Sequence, residues 1–401
     1  MEVFFWISLT IVVYTFIGYG AVLFLLVKIK RAFGKKAKTN NINLADLPTC
    51  SVLIAAYNEE SVIRQKIENT LALNYPSHLI QYFIVTDGST DSTNQIVSEY
   101  PSANLLFEPQ RSGKINAIHR SMSLINSDVV VFTDANTFLN EDALLNICRH
   151  YTNPQVGGVA GEKRIYTDEK ADASSAGEGF YWKYESKLKE WDSELNTAIG
   201  AAGELFSIRR ELYQAVPSDT ILDDFMISMQ IAMQGHKIVY EPEAYALETS
   251  SSNVREELKR KIRIATGGIQ SIINLKALLN PVAYGILSFQ YISHRVLRWS
   301  ITPILLIITF ILNGLLVIKA EGLIYSLMFG SQLAFYLLAL LGYRLEKKEL
   351  KLKIAFIPYY FCVMNYAVIV GTFKYFTTKR SAVWEKAERK ENIKYDGKFV
   401  S

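Results

Sequence analysis

The sequence predicts an α/β domain built on a mainly parallel sheet and accompanied by transmembrane helices. Three observations carry this. From about Leu47 to Glu248, charges occur throughout, and short apolar runs alternate with segments of helical period, as in strands joined by crossover helices. Outside that region, four stretches hold no charged side chain: Val3 to Val27, Trp299 to Ile318, Gly322 to Tyr343 and Ile354 to Phe373. Finally, acidic and amide residues close the apolar runs, where a parallel sheet presents ligands with the carboxyl ends of its strands.

The chain has 401 residues, half of them hydrophobic, and a formal charge of only +4. A bilayer core needs roughly 20 apolar residues in a helix, and each charge-free stretch meets that length. The first reads as an anchor and not as a cleaved signal. It is longer than a typical h-region, Glu2 precedes it, and no small-x-small site follows. It runs into Lys28, Lys30, Arg31, Lys35, Lys36 and Lys38. By the positive-inside rule this places the N-terminus outside and the middle domain in the cytoplasm. Three spans after that domain would leave the basic tail from Lys374 outside, against the same rule. Either Ile354 to Phe373, with Pro358 and Asn365 inside it, is re-entrant or interfacial, or Pro281 to His294 completes an extra crossing.

Between domain and spans, Leu258, Ile262, Ala265, Ile269 and Ile272 share one face of Arg255 to Leu279, with Lys259, Arg260, Lys261 and Arg263 nearby. This reads as a basic amphipathic helix in the membrane interface. Arg298-Trp299 reads as an interfacial anchor. The basic excess beside apolar segments points to lipid headgroups and away from nucleic acid. Cys50, Cys148 and Cys362 are widely spaced with no Cys-x-x-Cys, which argues against a disulfide framework or a zinc site and fits a reducing compartment.

Within the domain, Thr39 to Asp46 reads as a polar linker. Ser51 to Ala56 is the first strand, and Ile63, Ile67 and Leu71 mark the helix after it. Ile80 to Thr86 is the second strand, ending at Asp87-Gly88-Ser89-Thr90-Asp91. A third strand follows Asn104. Ile115, Ile118, Met122 and Ile125 form a helix face, and Val129 to Phe132 is a buried strand ending at Asp134-Ala135-Asn136. The second half is less regular, with Gly200-Ala201-Ala202-Gly203 and then Leu222-Asp223-Asp224-Phe225.

Taken singly, these residues have structural readings. Asp-Gly-Ser-Thr-Asp makes a turn and a helix cap. Asp134-x-Asn136 offers hard oxygen ligands for Mg²⁺ or Mn²⁺, but Asp and Asn are also common turn residues. Asp223 and Asp224 sit well at a helix N-terminus with no further role; there their side chains are expected to diverge, so that one enters a cleft. Arg111 and Lys114 can be solvated charges, and Lys114 can equally reach a phosphate. His119, His236 and His294 have no ligand spacing.

Their order through one alternating domain is more specific. Tyr57-Asn58-Glu59, Asp87, Arg111-x-x-Lys114, Asp134-x-Asn136, Gly203, Asp224 and Arg263 together resemble the membrane-bound family 2 glycosyltransferases, of the cellulose, chitin and hyaluronan synthase type and the bacterial exopolysaccharide type. The resemblance runs from the first anchor to Trp384. It implies a glycosyltransferase A-type, Rossmann-like nucleotide-binding domain that uses a nucleotide-sugar donor, UDP-linked, with Mg²⁺ or Mn²⁺. Asp87 would bind the nucleoside, with Tyr57 and Glu59 lining that pocket. Lys114 would contact the nucleotide. Asp134 and Asn136 would form the metal motif, and Asp224, supported by Asp223, would be the catalytic base. Arg263, in the place of the Q-x-x-R-W motif, would contact the diphosphate. Two positions depart from the pattern. Asn136 replaces the usual Asp, so Asn136→Asp is expected to keep activity or raise metal affinity. Arg260 and Ile264 replace the Gln and Trp of Q-x-x-R-W, which puts processivity in question.

The implied organisation is an N-terminal anchor and basic flank (1–38), a cytoplasmic glycosyltransferase domain (39–254), interfacial helices (255–298), a transmembrane region (299–376) and a basic tail (377–401), multi-pass in the inner (plasma) membrane. The acceptor is a polysaccharide or a lipid-linked molecule; membrane lipids are the other partner, and nucleic acid is not one. Three readings stay open: chain extension, single addition to a lipid, and a non-catalytic scaffold with a degenerate metal site.

Overall fold

The computed structural model describes residues 1–34, 46–166, 173–249, 254–348 and 352–378. The basic flank at 35–38, most of the linker and the tail from 379 lie outside the described residues. The chain divides into two compact units. In its described parts, one takes Ile29–Tyr166 and Lys189–Ser252 and holds the sheet. The other takes Met1–Lys28, Thr167–Leu188 and Asn253–Thr378 and is helical. Thus the described residues 173–188, expected inside the soluble domain, group with the helices.

The sheet has eight strands in the order β3-β2-β1-β4-β7-β6-β8-β5. They are β1 (Cys50–Ala56), β2 (Ile80–Asp87), β3 (Ala103–Glu108), β4 (Val129–Asp134), β5 (Phe138–Leu139), β6 (Val156–Tyr166), β7 (Leu205–Arg209) and β8 (Lys237–Thr249). The first four are parallel, as expected. Val52, Ile54 and Val129 to Val131 are essentially inaccessible, because a parallel strand is covered by helices on both faces. The expected helix faces are inside too: Ile63, Ile67, Ile115, Ile118, Met122 and Ile125 are all buried. Register sets Ala56 beside Thr86 and Ala55 beside Asp134, so the ends of β1, β2 and β4 meet along one edge.

The other half makes the sheet mixed. β7 runs antiparallel to both β4 and β6, β8 pairs parallel with β6, and β5 closes the order antiparallel to β8. β6 and β8 span 11 and 13 residues. Neither reads as an apolar run, because β6 carries three glycines and buries Lys163, while β8 buries Glu241 and Glu248. A bulge between Gly161 and Glu162 interrupts their register. A Cβ at Gly161 would meet the Leu205 side chain at 2.7 Å and the Ala244 carbonyl at 2.8 Å, so the sheet closes here only around glycine.

Among the described residues, three helices are long and apolar enough to cross a membrane: Glu2–Phe33, Leu323–Glu346 and Ile354–Thr377. The remaining stretch expected as a span is part of a bent pair, Pro281–Trp299 and Thr302–Ile318, meeting at 61°. If that pair is one broken span the number is four. The helix Val254–Asn274 is less cleanly amphipathic than expected, since it buries Lys261, Gln270 and Ser271 along with Ala265 and Ile269.

Candidate active site

The loops after β1 and β2 are stitched together. Asn58 adopts a left-handed φ of 53°, which asparagine tolerates because its short side chain bonds locally. Its backbone N–H donates to Ser89 Oγ, and its side-chain oxygen accepts from the Thr90 N–H at 2.8 Å. The Glu59 N–H donates to Thr93 Oγ1 at 2.8 Å, and Glu59 is buried. Tyr57 sits under Arg111, whose guanidinium lies 3.6 Å from the ring centroid.

Asp87 organises the next loop. Its carboxylate accepts from the backbone N–H groups of Ser112, at 3.0 Å, and Gly113, at 2.6 Å, and Arg120 lies 3.5 Å away. Gly88, with φ of 68°, lets the chain pass against Arg111, where a Cβ would stand 2.9 Å from the Arg111 backbone nitrogen. The carboxylate expected to face a nucleoside therefore also holds the segment that presents Arg111 and Lys114.

Lys114 opens the helix Lys114–Met122. Its Nζ lies 2.8 Å from Asp134 Oδ1 and 3.8 Å from Asp223 Oδ2. Burial works against the charge on Lys114, but Asp134 and then Asp223 outweigh it and raise its pKa. Gly203 marks the centre of the arrangement. A Cβ there would stand 3.4 Å from Lys114 Nζ, 3.5 Å from Asp224 Oδ2 and 3.8 Å from Asp134 Oδ2. The two carboxylates at the start of the helix Asp223–Met233 do not diverge as expected. Asp223 Oδ2 is buried and makes no hydrogen bond, yet it approaches Lys114, and Asp224 approaches the same place. Burial, then the neighbouring Asp223 charge, push the Asp224 carboxyl up to about 7, with Lys114 pulling the other way. A carboxyl near neutrality is poised to exchange a proton at cellular pH.

Asn136 belongs to a second network. Its amide nitrogen donates to Glu248 Oε1 at 3.3 Å. Glu248 pairs with Lys163, whose ammonium also pairs with Glu204 at 2.6 Å. The backbone carbonyl of Glu204 accepts from Thr133 Oγ1 at 2.9 Å. Lys66 reaches the same Thr133 hydroxyl: it is wholly buried and donates to Thr133 Oγ1 at 2.9 Å and to the Thr137 carbonyl at 2.7 Å. Burial pushes its ammonium down to about 7, while Asp134 acts in the opposite sense. The turn carrying Asp134 and Asn136 is thus held by two networks that meet at Thr133. Lys66, Lys163, Glu204 and Glu248 were not singled out from the sequence. A charged residue at a core-facing position, such as Lys66 between Ile63 and Ile67, is the one local signal they leave.

A divalent cation fits this place in part. Asp134 and Asn136 offer hard oxygen donors, and the space that a Gly203 side chain would fill is bordered by Asp134 and Asp224. Among the described residues, however, no group of three or more His, Cys, Asp or Glu could hold a metal. Mg²⁺-type sites commonly use one or two carboxylates and complete the shell with substrate phosphates and water, and these residues suit that mode. Arg263 is exposed on the helix Val254–Asn274 of the helical unit.

Residues 51–216 match the family model described as Glycosyl transferase family 2. The chain carries a family 2 glycosyltransferase domain. Poly-beta-1,6-N-acetyl-D-glucosamine synthase of Staphylococcus aureus is 26% identical over 248 residues, covering 59% of this chain and 58% of that relative. The match therefore spans less than two thirds of that relative's length. The synthase of the same name from Staphylococcus epidermidis is 26% identical over 375 residues, 84% of this chain and 87% of the relative. Among solved structures, the mannosyltransferase PcManGT from Pyrobaculum calidifontis, in complex with GDP-Man and Mn²⁺, covers 93% of this chain and 99% of its own. It gives a TM-score of 0.69 at 21% identity, a likeness of fold.

Proposed function

We propose that this glycosyltransferase transfers a sugar from a UDP-sugar, with inversion, to a hydroxyl of a growing polysaccharide at the cytoplasmic face of the plasma membrane. The observation that carries the reading is the meeting of Asp224, Lys114 and Asp134 around the open position at Gly203. Lys114 supplies fixed positive charge for a diphosphate. Asp224, pushed up to about 7, takes the proton from the acceptor hydroxyl as its oxygen attacks the anomeric carbon opposite the leaving diphosphate. Asp223 raises the basicity of Asp224 through its charge. Tyr57 and Glu59, on the loop after β1, and Arg111, on the segment that Asp87 holds, would line the nucleoside. A bound Mg²⁺ or Mn²⁺, held by Asp134 and Asn136, would supply further charge for the leaving group. The contact of Arg263 with diphosphate rests on motif resemblance alone.

The polysaccharide acceptor draws on the relatives, which are named as polymer synthases, and Mn²⁺ on PcManGT, solved with that ion. The test is a panel of nucleotide sugars given to the purified full chain in detergent. Released nucleoside diphosphate and product length are read with and without Mn²⁺. Metal-stimulated UDP release and a polymeric product are expected. Turnover of GDP-sugars alone, or a product carrying one added sugar, would overturn the donor or the acceptor assignment respectively.

A further inference from the structure

The helical unit forms a partly open cavity of about 230 Å³, far more than the ~10–15 Å³ that one water molecule needs. Most of its wall is aromatic and aliphatic, including Phe16, Trp299 and Phe361, and two cations, Lys261 and Arg298, also line it. Both are largely buried, at 6% and 11% side-chain exposure. Carboxylates fix where they stand. Glu185 bonds Arg298 at 2.8 Å and also Arg295 at 2.8 Å, and Glu257 lies 3.1 Å from Lys261 and 4.0 Å from Arg260. In these pairs each carboxylate serves two cations. Lys261 further lies 5.5 Å from the ring of Trp182.

The local backbone is shaped for the cavity. Phe16 lies in a π-helical turn, Tyr14–Gly18, and Arg298 and Trp299 directly follow a second one, Ile292–Val296. Such turns interrupt helices mostly where a function needs a side chain re-aimed. Trp299 rests on Gly268, where a Cβ would come within 2.8 Å of its ring.

The chemistry of the wall selects the occupant. A sugar would need several hydrogen-bonding side chains around its hydroxyls; the wall offers one amide and two tyrosines, of which Asn365 spends its nitrogen on the Phe361 carbonyl of its own helix, Tyr184 spends its hydroxyl on the Phe16 carbonyl, and Tyr360 is the third. Lys261 and Arg298 keep their carboxylate partners whatever the occupant, and a neutral hydrophobe would make no polar contact at that charged end of the wall. The complementary molecule has an apolar chain and an anionic head. In a chain with three helices of membrane-crossing length, bilayer phospholipid is that molecule, and basic pockets between such helices suit anionic head groups. We propose that this cavity binds an anionic membrane phospholipid, with the phosphate at Lys261 and Arg298 and an acyl chain along Phe16, Trp299 and Phe361.

The test uses the full chain, purified from detergent into phosphatidylcholine or phosphatidylglycerol micelles, with native mass spectrometry counting the lipids retained. At least tenfold preferential retention of phosphatidylglycerol is expected. It should be lost in the Lys261→Gln, Arg298→Gln double variant. Because Arg298 also holds Glu185, that variant is paired with Met364→Trp, which fills the cavity from a half-buried position and leaves both cations in place. Met364→Trp should lose the lipid as well, with unchanged secondary structure by circular dichroism. Equal retention of the two lipids, or phosphatidylglycerol retained in Met364→Trp, overturns the proposal. So does a polyprenyl phosphate that displaces phosphatidylglycerol at equimolar concentration. The readout is lipid bound, so it stands apart from sugar transfer.

Discussion

Each unit buries an ionic cluster, and the two are opposite in sign. In the sheet unit one ammonium, Lys163, is shared by two carboxylates, Glu204 and Glu248. In the helical unit one carboxylate, Glu185, is shared by two guanidiniums, Arg295 and Arg298, with His294 3.3 Å away. A buried pair with matched charges is weak evidence of stabilisation, because desolvation offsets the Coulomb gain. Here the shared group is a cation in one unit and an anion in the other. In the sheet unit Glu248 stands beside Asn136, and Glu204 also acts on Asp224. In the helical unit Arg298 lines the cavity wall.

The largest expected effect separates chemistry from binding at the sheet-unit site. Asp224→Asn keeps the shape and removes the proton acceptor, so turnover should fall ~10²–10⁴-fold while UDP affinity by calorimetry stays near that of the unaltered chain. Asp223→Asn should be milder. Full activity of Asp224→Asn would remove the base assignment. With the carboxyl of Asp224 pushed up to about 7, the reactive form is the deprotonated one. The free-enzyme kcat/KM should therefore rise with pH and level off above neutrality; a profile flat from pH 5 to 8 would contradict this.

Next in size is the loss of the shared cation. Lys163→Met leaves Glu204 and Glu248 buried without their ammonium, at a cost of about 3–5 kcal/mol, read as a lowered midpoint in thermal unfolding. Glu185→Gln is the mirrored experiment in the helical unit and should cost a similar amount. If only one of the two destabilises, the clusters are not equivalent.

A smaller effect revises an expectation drawn from the motif alone. Asn136 donates to Glu248, so Asn136→Asp sets two carboxylates against each other and removes a hydrogen bond. The metal-free protein should lose about 1–3 kcal/mol, and Mn²⁺ should restore part of it by binding the added carboxylate. An unchanged metal-free unfolding midpoint would show that the contact with Glu248 carries no weight. The smallest change is at Arg64–Glu99, an ion pair at 2.7 Å with both side chains nearly half exposed. Arg64→Ala should leave the thermal unfolding midpoint nearly unchanged, and a clear loss would blur the contrast between buried and exposed charge.

The sequence alone determined the parallel half of the sheet, the loops at its strand ends and the apolar helices. These rest on local patterns: apolar runs such as Val129 to Phe132, helical spacing such as Ile115, Ile118 and Met122, and long stretches without charge. Tyr57, Asp87, Lys114, Asp134 and Asp224 could be picked out because they stand at strand or helix ends in a familiar order. Only the tertiary structure decided the antiparallel insertion of β7, the pairing of β6 with β8 and the convergence of Asp223 and Asp224 on Lys114. It alone showed that Asn136 answers Glu248. The reason is physical: charged residues inside β6 and β8 read as solvated until their partners are seen. Lys163 and Glu248 are separated by 85 positions in the chain, and no local period records that they neutralise each other.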